Sequence, residues 1–153
     1  MHKQKSFTLV EIMIVVAIVA LLFAIAIPNL LRARIHANES VAITSVRTVS
    51  TAMEGFRGVN RAYTGATLAV LSAGPLPYID NVLGNGAKQG YTFTLTIVGS
   101  NQYWFQGVPN IQGATGVRSF YIDEQGVVCA GANPAAGHSV AGNSCPVGFN
   151  PVE

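Results

Sequence analysis

An ionisable residue inside a long apolar run is the first feature of this sequence with the potential for chemistry. Glu11 is the only charged residue between Phe7 and Leu31. A carboxylate among aliphatic side chains is costly to desolvate and is usually paired with a cation or a hydrogen-bond donor. The sequence therefore predicts a partner for Glu11, and the alternatives are a position at the membrane interface or a protonated carboxyl group.

The two cysteines are the second feature of this kind. Cys129 and Cys145 fit neither a Cys-x-x-Cys redox motif nor a zinc quartet, and they lie in a stretch rich in Gly, Asn, Ala and Pro. In an exported protein such a pair predicts one disulfide.

Other residue types give no catalytic or metal site. The many Ser and Thr residues have no His and carboxylate arranged around them, so no nucleophile can be assembled and the chain is not predicted to be an enzyme. His36 and His138 are isolated from other ligands, and Asp80, Asp123 and Glu124 are too sparse for a calcium site. No metal and no cofactor is predicted.

Charge and glycine content do not indicate a nucleic-acid or nucleotide partner. The formal charge is +2, and Lys3 and Lys5 supply both charges within the first few residues. The glycine-rich strings at 84–86 and 131–142 lack the strand and helix context of a phosphate loop. No specific nucleic-acid binding is therefore predicted.

The element that must position Glu11 is a hydrophobic helix. Residues 7–31 form an apolar run long enough to cross a hydrocarbon core of about 30 Å, for which about 20 helical residues suffice. Residues 1–6 are short, polar and basic, which predicts a cytoplasmic leader with the rest of the chain outside. Pro28 lacks an N–H and is expected to act as a kink or hinge in the helix.

An amphipathic half continues this helix over residues 32–62. Its apolar positions recur at spacings of three, four and seven, and the charged residues, Glu39 among them, are predicted to lie largely off that stripe. The apolar positions are Ile35, Ala42, Val46, Val49, Met53 and Phe56. This pattern predicts a helix that covers a sheet and ends near residues 58–62.

The remaining chain predicts a small antiparallel sheet. Residues 91–98 alternate strictly between large apolar residues and Thr, and turn signals separate further strands at 102–108, 118–122 and 126–129. The predicted fold is α+β, with a long N-terminal helix packed on about four antiparallel strands and a C-terminal disulfide loop. The predicted domains are the leader, the hydrophobic helix and a head spanning residues 32–153.

The N-terminal segment resembles the processing and assembly segment of type IV pilins and pseudopilins. The resemblance rests on the basic leader, the string Phe7-Thr8-Leu9-Val10-Glu11, and Pro28 seventeen residues beyond Glu11. It implies that a prepilin peptidase cuts between Ser6 and Phe7, that the new amine of Phe7 is N-methylated, and that Glu11 pairs with that amine on a neighbouring subunit. Ser6 departs from the Gly that the family almost always has before the cut.

The resemblance also implies partners and a location. The chain would polymerise with itself into a helical filament, using an inner-membrane assembly platform and its assembly ATPase. It would lie in the inner membrane as a precursor, and then in an extracellular pilus or a periplasmic pseudopilus. The disulfide-closed tail favours a pilus, and a major pilin is favoured among the possible subunits.

Several alternatives remain at this point. The chain could be a minor pilin, a type II secretion pseudopilin, or an exported binding or adhesion protein that uses the helix only as an anchor. Ala24-Ile25-Ala26 has the small-x-small form that signal peptidase accepts, although Glu11 inside the run argues against a signal peptide. The aromatic residues of the strands are predicted to serve core and surface packing, and adhesion through an exposed Tyr103 or Trp104 is favoured over electron conduction as the alternative for them.

Overall fold

The structure is a computed structural model that describes residues 7–132, 134 and 145–152. The predicted leader and most of the segment between the two cysteines lie outside these residues. The chain divides into two compact units, and the division falls between Arg34 and Ile35.

A single long helix, α1, spans Leu9–Asn60. It begins after Thr8, whose carbonyl accepts a hydrogen bond from the Ile12 amide. It ends where Arg61 takes a left-handed conformation with φ of 61°, which stops helix propagation. The predicted end between residues 58 and 62 is confirmed.

The second half of α1 contributes one side of the core of the head. The predicted apolar stripe is buried, except that Ile35 is only partly buried. Ala42, Val46, Val49, Met53 and Phe56 each have at most 8% of their surface exposed. Burial of this stripe explains why the segment is helical, because the apolar spacing matches the helical repeat.

Two short helices follow where the sequence predicts a surface connection with a single helical turn. Helix α2 spans Leu68–Ser72, and the Thr67 hydroxyl caps it by accepting from the Val70 amide. Helix α3 spans Asn81–Gly84, and the Asp80 carboxylate caps it by accepting from the Leu83 amide. Leu71 and Leu83 anchor the two helices in the core.

Within the described residues the sheet has six antiparallel strands in sequence order, which confirms the predicted α+β fold but adds two strands to the predicted four. The strands are β1 (Ala87–Lys88), β2 (Tyr91–Ile97), β3 (Tyr103–Pro109), β4 (Ser119–Asp123), β5 (Cys129–Gly131) and β6 (Phe149–Pro151). The strand predicted at residues 126–129 shares only Cys129 with β5. The additional strands are β1 and β6. Each is too short to show a two-residue period in the sequence.

Both faces of β4 are buried, although such a strand in a small antiparallel sheet usually has one solvated face. Phe120 and Ile122 belong to the main core shared with α1. On the other face, Tyr121 packs with Cys129, Cys145 and Phe149 in a second, smaller core. The C-terminal segment therefore covers the outer face of the sheet.

Candidate functional site

The hydrophobic half of α1 is unburied throughout. Every residue from Phe7 to Arg34 is exposed within the chain's own fold. The helix includes a window with a mean hydropathy of 3.1, none of it buried. Among the described residues it is the one helix that is long and apolar enough, by length and composition, to cross a membrane.

The first turn of this helix is organised by Thr8 and Glu11. The Glu11 amide donates to the Thr8 hydroxyl oxygen at 3.2 Å, so Thr8 is the N-cap and Glu11 is the third helical residue. Within the described part of the chain, the Glu11 carboxylate has no hydrogen-bond or ion-pair partner. Its side chain is therefore available to a partner outside the fold.

The role of Thr8 was not predicted from the sequence, although a signal for it is present. A Thr followed three residues later by Glu at the start of an apolar helix is the pattern of a capping box. The cap fixes the point at which the chain becomes helical, immediately after Phe7.

Pro28 lies within α1, and the helix is continuous through it. Phe7 is 75% exposed beside the start of the helix. Ser6 lies outside the described residues. The cleavage site, the methylation of Phe7 and the hinge at Pro28 stay predictions.

The head holds an ion pair between a buried carboxylate and a partly exposed arginine, and sequence reasoning missed it. Only 4% of Glu39 is exposed, and its carboxylate accepts from the Val117 amide at 3.0 Å and the Arg118 amide at 3.1 Å. The Arg118 side chain adds bonds from Nε at 3.1 Å and Nη2 at 2.8 Å. Beside it, Asn38 donates to the Thr115 carbonyl at 2.9 Å.

The electrostatics of Glu39 favour its ionised form. Burial alone raises the pKa of this carboxyl, but the hydrogen bonds from Val117 and Arg118, together with the Arg118 charge, outweigh burial and hold the pKa below its usual value. The prediction that Glu39 lies off the apolar stripe is wrong, because Glu39 is buried. Its position four residues after Ile35 and three before Ala42 was the signal in the sequence.

A tyrosine cluster lies near the C-terminal end of α1. The Tyr63 hydroxyl donates to Glu54 at 2.5 Å, and the Tyr63 ring meets the Tyr103 ring edge-on with centroids 4.8 Å apart. The Tyr103 hydroxyl donates to Ser50 at 3.2 Å. Burial raises the pKa of both tyrosine hydroxyls above its ordinary value.

The prediction that the strand aromatics serve packing is confirmed for Tyr103, whose side chain is fully buried, and the alternative of adhesion through an exposed Tyr103 is wrong. Trp104 is partly buried and stacks on Tyr121 with centroids 6.3 Å apart. Both aromatic residues are therefore explained by packing on the two faces of the sheet.

The predicted disulfide is present. Cys129 and Cys145 are bonded at 1.99 Å, and at most 4% of either residue is exposed. Within the described residues no group of His, Cys, Asp or Glu is placed to hold a metal ion. His138 and most of the second glycine-rich string lie outside them.

Comparison with known proteins agrees with this geometry. Residues 1–27 match the family described as "Prokaryotic N-terminal methylation motif". The chain is 32% identical over 121 residues to the "Type IV wide pilus major component PilA4" of Thermus thermophilus, covering 72% of this chain and 86% of that protein.

The chain belongs to the type IV pilin and pseudopilin family. Another relative is the "Fimbrial protein EcpB" of Eikenella corrodens, at 32% identity over 82% of this chain and 84% of that protein. A third is the "Type II secretion system core protein G" of Escherichia coli, at 28% identity over 58% of this chain and 61% of that protein.

Family membership fixes the broad role of this pilin. It is a structural, non-enzymatic subunit. The family implies self-polymerisation and processing by prepilin peptidase, and the hydrophobic helix is consistent with a membrane precursor that enters a pilus.

Proposed function

We propose that this pilin is the major subunit of a type IV pilus and polymerises through residues 7–31 after its leader is removed. The observation that carries the proposal is the complete exposure of the apolar residues from Phe7 to Arg34 within the chain's own fold. An apolar surface of this size requires lipid or protein to cover it. Inner-membrane lipid covers it before assembly, and neighbouring copies cover it afterwards.

Processing supplies the partner of Glu11 in this proposal. Prepilin peptidase cuts between Ser6 and Phe7, and the new Phe7 amine is N-methylated and stays cationic. The amine then pairs with the Glu11 carboxylate of a neighbouring subunit and fixes the offset between the two chains. The helix cap formed by Thr8 supports this role, because it holds Glu11 in the first helical turn, close to the new terminus.

Assembly proceeds at an inner-membrane platform driven by an assembly ATPase. Pro28 acts as the hinge that lets the hydrophobic helices adjust while they pack, since it lacks a backbone donor there. The disulfide-closed tail and the relatives named as a major pilus component and a fimbrial protein support a surface pilus.

A second candidate is a pseudopilin of a type II secretion system, and the relative named as core protein G of that system favours it. A minor pilin would share the same N-terminal chemistry. These candidates differ from a major pilin in abundance and in location, since a pseudopilus stays in the periplasm.

Two measurements test the proposal together. Intact mass of the purified chain is expected to show loss of residues 1–6 and gain of one methyl group on Phe7. Electron microscopy of material sheared from the producing cells is expected to show filaments composed mainly of this chain. A chain that starts at Ile27, or one that remains a membrane monomer, would contradict the proposal.

A further inference from the structure

The connection between α2 and α3 carries the most exposed apolar side chain of its region. Residues 73–78 are exposed throughout, and 88% of Leu76 is accessible. Single exposed aliphatic residues are common, but further ones lie on α2 and α3 themselves, where Val70 is 46% and Val82 is 55% exposed.

This loop is held in one conformation. Pro75 and Pro77 flank Leu76, and Gly74 takes a φ of 95° that other residues adopt with strain. The amides of Tyr78 and Ile79 both donate to the Leu71 carbonyl, at 2.9 and 3.2 Å. The Leu76 side chain is thus presented on a rigid support, and little conformational entropy is lost when it is buried by a partner.

The loop is also fastened to the C-terminal part of α1. The Tyr78 ring packs on Gly55, where an added Cβ would lie 3.1 Å from the ring. The position of the loop relative to α1 is therefore set by a direct contact.

A groove lies on the same head between α1 and α3, beside residues 40–48 of α1, which precede the Gly55 contact along the helix. Its volume is about 290 Å³, which is ample for a leucine side chain. Its lining includes the ion pair between Lys88 and Asp80, with an N–O distance of 2.6 Å. The other lining residues are Ser40, Val41, Thr44, Ser45, Thr48 and Leu83. The Thr44 and Thr48 hydroxyls donate to helix carbonyls and leave their methyl groups for packing.

We propose that Leu76 of one subunit inserts into the α1–α3 groove of a second copy of this chain. The inference rests on the proposed function and adds a contact between heads. The loop that carries Leu76 and the groove are different surfaces of one head, so the contact is heterologous. Repeated heterologous contacts that do not close form open helical filaments. The two surfaces lie at different levels along α1, so a contact between them staggers successive heads along the axis.

The polar groups of the two surfaces are complementary as well. Pro75 and Pro77 have no amide hydrogen, so this part of the loop offers mainly carbonyl acceptors. The groove lining offers the Lys88 ammonium, which has three donors, of which one bonds to Asp80. A loop rich in acceptors therefore meets an edge with spare donors.

Cysteine crosslinking of filaments from the full-length chain tests the contact. The double variant Thr44→Cys, Leu76→Cys is oxidised after shearing and run on a non-reducing gel, and it is expected to give a ladder of multimers that each single variant lacks. Cys129 and Cys145 do not interfere because they are already bonded and buried. The matched control pairs Leu76→Cys with Ile111→Cys, an exposed position outside the groove, and is expected to give no ladder.

The outcomes separate this inference from the proposed function. Filaments without a ladder overturn the contact while the pilus role stands, and so do dimers from Leu76→Cys alone, which indicate a symmetric contact. A wild-type chain that makes no filaments overturns both. If the double variant does not assemble, Leu76→Asp is expected to lower the yield of sheared filaments by about tenfold and Leu76→Met to preserve it, whereas equal yields overturn the contact.

Discussion

Arg118 and Glu39 form a two-pronged ion pair between the loop before β4 and α1, with Nη2 at 2.8 Å and Nε at 3.1 Å from Oε2. The backbone amides of Val117 and Arg118 occupy the other carboxylate oxygen. The Glu39 side chain is 6% exposed, whereas that of Arg118 is 48% exposed, so the carboxylate is the partner that depends on the pairing. Glu39 thus fixes the loop between β3 and β4 onto the helix.

Substitution of Glu39 by Gln is expected to lower the free energy of unfolding by about 2 kcal/mol. The amide NH₂ group of Gln would face the donors of Arg118, although Arg118 is exposed enough to regain water. The measurement is denaturant unfolding of the full chain in detergent, followed by the fluorescence of Trp104, the single tryptophan. Arg47→Gln, at an exposed position on the same helix, is the control, and equal midpoints for both variants would contradict the assignment.

Acid is expected to destabilise the head. Hydrogen bonds hold the pKa of Glu39 below its ordinary value of 4.5, and the bond from Lys88 holds that of Asp80 below 3.8. A carboxyl whose pKa is lower in the folded state stabilises the fold fully above its unfolded pKa, and this contribution is lost as the pH falls through the folded pKa. The denaturant concentration at the unfolding midpoint should therefore decrease as the pH is lowered below about 5.

The Glu39→Gln variant separates the two carboxyl groups in that titration. It should lose much of the acid dependence, because the Glu39 side chain is 6% exposed and its carboxylate accepts four hydrogen bonds from Val117 and Arg118. Asp80→Asn should change it less, since the Asp80 side chain is 51% exposed and its ion pair is weakened by solvent. If the dependence of stability on pH is unchanged in Glu39→Gln, the Glu39–Arg118 ion pair is not the source of that dependence.

The parts of the fold that were predicted from sequence are those with an unbroken period. The spacing of Ala42, Val46 and Val49 gave the buried face of α1, and the alternation around Tyr91 and Phe93 gave β2. Strands β1 and β6 were missed because two or three residues cannot display a period, and their pairing depends on β2 and β5, which flank them in space.

The candidate site divides in the same way. Glu11 was identifiable because one charge in an apolar run has no local explanation, and the cysteines because there are only two. The pairing of Glu39 with Arg118 joins residues 79 apart in sequence, and no local pattern specifies such a partner. Whether Tyr103 is exposed was equally undetermined, because both faces of the sheet are partly covered.

Loss of the disulfide is expected to lower the stability of the head. The bond joins residues 16 apart, and closing a loop of this size in the unfolded chain accounts for about 3 kcal/mol in the chain-entropy model. Replacement of both cysteines by Ala should lower the unfolding free energy by about that amount. Wild-type protein unfolded with and without reductant is the matched control. A stability that neither cysteine replacement nor reductant lowers would contradict a stabilising role of the disulfide.

The residue before the cut is expected to limit processing. Ser6 carries a Cβ and a hydroxyl where the family almost always has Gly, so Ser6→Gly should raise the rate at which precursor is converted to the mature chain. Pulse-chase labelling followed by intact mass measures the conversion. Ser6→Ala, which keeps the Cβ and removes the hydroxyl, separates the two causes. Slower conversion of the Ser6→Gly precursor than of the wild-type precursor would contradict the prediction.

The last prediction concerns Glu11, whose carboxylate has no partner among the described residues of its own chain. If it pairs with the Phe7 amine of a neighbour, Glu11→Ala removes a contact that exists only in the filament. Membrane insertion should be unchanged or slightly improved, because a charged group is removed from an apolar helix. Sheared filaments should fall to a small fraction of wild type, as measured by immunoblot of the sheared and membrane fractions. Thr8→Ser, which keeps the capping hydroxyl, serves as a control in the same helical turn, and normal filaments from Glu11→Ala would show that register is set elsewhere.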